Sequence, residues 1–122
     1  MKLSSKAVNI LGQINNQTKL GDLRKIGKDV KKDHELAIVL WSPKKFLPRL
    51  LAILIMDKKL LSSDLINKLD KDMQDHPFDE RNQLMDWLMA NQLSKDKEAI
   101  RLMESWGNSP SSLQRRIFWY YQ

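Results

Sequence analysis

Apolar residues recur at three- and four-residue steps along most of the chain, and polar residues fill the positions between them. "KLGDLRKIGKDVKKD" places Leu20, Leu23, Ile26 and Val30 on one stripe of a basic helix. "DHELAIVLW" follows, with Asp33 placed to cap a helix that buries Leu36, Val39 and Leu40. Ser42 and Pro43 end it. "FLPRLLAILIMD" breaks the amphipathic pattern, because ten of its twelve positions are Phe, Leu, Pro, Ala, Ile or Met. It is too short for a membrane span, which needs about 20 apolar residues. Pro48 fits the first turn of a helix, so the pattern predicts a short helix from Leu47 to Asp57, buried on most of its sides.

Four further helices are expected downstream. Ser62 caps a helix facing inward through Leu65, Ile66, Leu69 and Met73. Pro77 opens one that buries Leu84, Trp87 and Leu88. "SKDKEAIRLMESWG" buries Ala99, Ile100, Met103 and Trp106 and closes on Gly107 as a C′ residue. The last starts at Ser109–Pro110 and runs to the end of the chain. No alternating stretch and no Asn-Gly turn speaks for strands. The expected class is all-α, in one domain spanning residues 1–122. Seven or eight short helices with brief connections suit stacked antiparallel helix pairs, a partial HEAT-like repeat α-solenoid, in which an inner helix is buried on most faces.

Charge sharpens this reading. The chain is 30% charged and 42% hydrophobic with a net charge of +6, the balance of a soluble globular protein. Residues 1–60 hold 13 Lys/Arg against 5 Asp/Glu, net +8, and residues 61–122 hold 8 against 10, net −2. A basic half implies an anionic partner. Lys25, Lys28, Lys31 and Lys32 form its densest run, suited to non-specific phosphate contact. Without cysteine there are no disulfides, thiolate metal sites or thiol nucleophiles. The start of the chain lacks the pattern of a secretory signal, and a cytoplasmic location without membrane attachment is expected. His34 and His76 are isolated, and the chain has no zincin, phosphate-loop or hydrolase motif. No metal or cofactor is expected. Arg49, set among apolar neighbours, is expected to pair with a carboxylate such as Asp33, Glu35 or Asp57.

"GDLRKIGKDVKKDHELAIVLW" followed by "RLLAILIMD" resembles the AlkD-type DNA alkylation repair family. "MDWL" at Met85–Leu88, "KEAIRLMESW" at Lys97–Trp106 and "RRxxW" at Arg115–Trp119 extend the resemblance to most of the chain. It implies a curved array of HEAT-like repeats that binds duplex DNA. It also implies a glycosylase activity, removing N3- and N7-alkylated purines by hydrolysis of the glycosidic bond without a cofactor. Such a base leaves as a neutral molecule, so the site must stabilise a cationic sugar and place a water. The resemblance assigns that task to Asp86, and phosphate contact to Arg116 with Arg115 beside it. Asn82 stands where catalytic members carry a tryptophan, and the chain is shorter than they are. A short or truncated member is implied, with a weakened site or none. The alternative is a non-catalytic helical-repeat module that binds nucleic acid or protein.

The terminal "FWYY" places large side chains around the last turns. Aromatics of this size bury about 150–250 Å² each, so an uncovered helix end predicts self-association as a two-fold dimer through Trp119 and Tyr121.

Overall fold

The computed structural model describes residues 5–120. Tyr121, invoked above for self-association, lies outside them. The described chain is all-α, with eight α-helices, three short 3₁₀ turns and, among the described residues, no strand. No described helix is long and apolar enough to cross a membrane. The chain forms two compact units, one ending at Asp57 and one beginning at Lys58.

The first unit holds α1 (Ser5–Gly12), α2 (Leu20–Val30), α3 (His34–Trp41) and α4 (Phe46–Ile55). Helix α1 is an addition to the helices expected from periodicity; it buries Ala7 and Ile10 and packs on α3. Helix α4 is the apolar segment. It lies against both α2 and α3, and seven of its ten residues are buried. Neighbours on two sides leave little of its surface to water, which is why it carries no polar stripe. Pro48 is its third residue, where a missing N–H breaks no intrahelical bond. The approach of α2 is close at Gly27, where an added Cβ would meet Leu54 at 3.4 Å.

Arg49 is 3% exposed, and its Nε donates to the Trp41 carbonyl at 2.9 Å while its guanidinium lies 4.7 Å from the centre of the Trp41 ring. The end of α3 therefore holds this cation through a carbonyl and an aromatic face. His34 Nδ1 accepts the Asp57 N–H at 3.2 Å, so this imidazole nitrogen serves the chain leaving α4.

Asp33 caps α3 as expected. Its carboxylate accepts the Leu36 N–H at 3.1 Å and the Lys6 ammonium at 2.8 Å. The Lys6 bond, then the Leu36 N–H, hold its pKa below the ordinary value of 3.8. A depressed folded pKa contributes stability that is complete above the unfolded value and lost as pH falls through the folded one. Asp33→Ala is expected to cost about 1 kcal/mol at neutral pH, the usual worth of an N-cap. Asp33→Asn keeps the cap but loses the acid-dependent part. Urea midpoints measured from pH 6 down to pH 2 check this. Wild type and Asp33→Asn should converge at the acid end, and curves that stay parallel refute the assignment.

The second unit holds α5 (Ser63–Met73), α6 (Phe78–Asn91), α7 (Lys97–Glu104) and α8 (Ser112–Tyr120). Ser62 caps α5 by accepting the Leu65 N–H at 3.1 Å. Pro77 is the N-cap of α6 rather than its first helical residue. Two expectations for α7 need correction. Ala99 and Trp106 are buried, but Ile100 is 39% exposed and Met103 only half-buried. Gly107 is not a left-handed C′ residue, since no described glycine has positive φ. It lies in the 3₁₀ turn Ser105–Asn108, where an added Cβ would come within 3.0 Å of the Phe118 ring. Close approach of the aromatic ring, not backbone handedness, makes a side chain costly there. Helix α8 begins at Ser112, two residues after Pro110, and packs on α6 and α7.

Candidate nucleic-acid interface

Helix α6 turns three residues toward one side at four-residue steps: Phe78, Asn82 and Asp86. Phe78 is 67% exposed, Asn82 is half-buried, and Leu84, Trp87 and Leu88 point into the core. Asp86 is thus at the edge between core and solvent, with about a third of its side chain accessible.

Its partner comes from α8. Arg116 Nη1 donates to Asp86 Oδ1, joining residues thirty positions apart into an ion pair. The Arg116 side chain is exposed to the same degree, and its guanidinium lies 4.9 Å from the centre of the Tyr120 ring. The Arg116 bond engages Oδ1, and about a third of the Asp86 side chain is accessible. The arrangement is a carboxylate with one oxygen engaged, backed by a cation that itself rests on an aromatic face. Such a cation offsets much of the negative field that a bare carboxylate would direct at a developing sugar cation.

Arg115 is exposed and donates from Nη1 to the Ser109 carbonyl, closing the turn that leads into α8. Helical geometry sets the rest of this face. Leu113, Gln114 and Ile117 are buried, which directs Arg115 and Trp119 outward and leaves Arg116 and Tyr120 along one flank. Gln114 is pinned at both ends, accepting from Ser109 Oγ at 2.6 Å and donating to Asn67 Oδ1 at 2.8 Å. These bonds fix the start of α8 on α5 and so the angle at which Arg116 meets Asp86.

The lysine run lies in the first unit and is less of a helix face than its spacing predicts. Lys25 and Lys28 are exposed on α2, one turn apart. Lys31 and Lys32 lie beyond the end of the helix. Lys31 has φ 66° and ψ −168°, a backbone conformation that costs a side-chain-bearing residue about 1–3 kcal/mol. Its N–H bonds the Gly27 carbonyl at 2.8 Å, terminating α2. Lys32 Nζ lies 3.8 Å from Asp57 Oδ1. All four ammonium groups are accessible, and the last two sit where a helix C-terminus favours positive charge.

Trp119, expected in a self-association surface with Tyr121, is exposed, and beside it Tyr120 lies against the Arg116 guanidinium. The spacing carried a signal for that contact, since Arg116 and Tyr120 are an i, i+4 pair. Among the described residues, no cluster of three metal-ligating side chains occurs. No family profile, no characterised protein and no solved structure matches the chain.

Proposed function

We propose that this chain is a HEAT-like helical-repeat protein of the AlkD type that binds duplex DNA, with a glycosylase site that is attenuated. One observation supports the reading above others. Asp86 and Arg116, the two residues that the resemblance marks separately, meet on α6 and α8. The lysines of the first unit add the charge that sequence-independent binding requires.

The pair gives a definite chemistry. A DNA phosphate competes with Asp86 for the Arg116 guanidinium, and a phosphate that wins leaves the carboxylate facing the sugar. The glycosidic bond of an N7-alkylated purine then breaks with both electrons going to the base, which departs neutral. Asp86 stabilises the resulting sugar cation, and a water held by its Oδ2 adds to C1′ and gives up a proton to the carboxylate. Asn82 offers no aromatic wall to the sugar, and the price of separating Asp86 from Arg116 is charged to every turnover. Both features favour binding without efficient excision.

Release of N7-methylguanine from duplex DNA tests this. Wild type is expected to release base at little above the spontaneous rate. Asp86→Asn is expected to remove that excess while duplex affinity holds or rises slightly, since a negative charge near phosphate is lost. Rapid release that depends on Asp86 would overturn the attenuated site. Release unaffected by Asp86→Asn would remove the catalytic assignment altogether.

A further inference from the structure

The accessible side of α8 carries the Arg115 and Arg116 guanidinium groups and, one turn on, the Trp119 and Tyr120 rings. Trp119 and Tyr120 are each 72% exposed, among the highest exposures of any described large hydrophobic residue. Neither is there for the core, because Leu113 and Ile117 already bury the inner face. Trp119 is held edge-on by Phe118, ring centres 5.5 Å apart at 84°, and Tyr120 by Arg116. The rings are thus set in place with their outer surfaces uncovered.

The mixture of groups limits what can cover them. A purely apolar partner would strip water from Arg115 and Arg116 and add no acceptor to the Ser109 carbonyl and the Asp86 carboxylate that each already has. A nucleic-acid strand with unpaired bases satisfies both kinds of group, since bases present π-faces and the backbone presents phosphates. A closed duplex does not, because its base faces are already stacked on one another.

We propose that this face binds unpaired nucleobases, with Trp119 and Tyr120 as stacking surfaces and Arg115 and Arg116 as contacts to the flanking phosphates. The proposal deepens the nucleic-acid reading above and rests on it for the class of partner. Its target is single-stranded or locally unpaired nucleic acid, where duplex contact needs only phosphates.

The chain carries its own probe. Of its four tryptophans, Trp41, Trp87 and Trp106 are 3%, 8% and 3% exposed, so quenching by a large ligand reports on Trp119. Titration with an oligothymidine at low salt is expected to quench part of the emission. An abasic strand with the same number of phosphates is expected to bind more weakly. Trp119→Leu, at an exposed position that leaves the helical signal intact, should reduce oligothymidine affinity about 5- to 150-fold, the usual worth of one stacked base. Equal affinity for the abasic strand, or no quenching, overturns the proposal. Salt-dependent duplex binding with Trp119 emission unmoved by single strands overturns it alone and leaves the duplex reading standing. Binding to neither form removes both. Emission that changes with protein concentration, together with a dimer in sedimentation, overturns it in favour of a second copy covering α8.

Discussion

Affinity for a random duplex is expected to fall by at least about 150-fold when monovalent salt rises from about 50 to about 200 mM. The first unit, residues 1–57, holds 11 Lys/Arg against 5 Asp/Glu, net +6, whereas residues 58–122 hold 10 of each. The electrostatic attraction therefore belongs almost wholly to one compact unit. Taking Lys25, Lys28, Lys31 and Lys32 as four phosphate contacts, counterion release gives them a share of about −3.6 in the slope of log affinity against log salt. Replacing all four by glutamine should make the slope shallower by about that amount, leaving the share that belongs to Arg116, and weaken binding at low salt. Replacing Lys32 alone should matter least, because Asp57 already draws on its charge. Fluorescence anisotropy with a labelled duplex at four salt concentrations measures both slopes. A wild-type slope shallower than about −1 would mean that phosphate contact is not what this lysine run does.

The largest single-residue effect on stability is expected at Arg49. Arg49→Ala removes a charged hydrogen bond to the Trp41 carbonyl, a cation–π contact with its ring, and the packing of a buried stem. Together these are worth about 3–4 kcal/mol, a large share of the net stability of a small protein. In urea the midpoint should drop by about 1.5–2 M, given an ordinary dependence on denaturant. Arg49→Lys keeps the charge but lacks the planar group that both donates and stacks, so it should recover less than half of the loss. A shift in Arg49→Ala smaller than about 0.5 M would show that the Trp41 contacts contribute little.

Both effects depend on features that differ in how far the sequence reveals them. Caps, breaks and apolar stripes were legible because each is set by groups within four residues of one another. Asp33 meets the Leu36 N–H and Ser62 meets the Leu65 N–H three positions on, and Pro48 and Pro77 fall in or before a first turn. The apolar run at Phe46–Ile55 likewise announced a helix without a solvated face. The exposed lysines needed no fold to be recognised as cations. Their arrangement did, since the backbone leaves α2 at Lys31 and carries Lys32 toward Asp57.

What only tertiary structure decided are the meetings between distant side chains. No periodicity pairs Asp86 with Arg116, because that contact depends on where Asn67 and Ser109 fix the start of α8 through Gln114. Arg49 found an aromatic face and a carbonyl at Trp41, a choice made by how α3 and α4 pack. Gly107 reads as a helix stop, yet its bareness answers to the Phe118 ring eleven residues away. Ile100 repeats the spacing of a buried residue on α7 and remains accessible, because a stripe states which residues share a side and not whether a neighbour covers it. Hydrogen bonds within a turn are written in the local order of residues. The contacts that join α6 to α8 follow from side-chain volumes and helix angles summed over the whole unit, and no short stretch of sequence contains them.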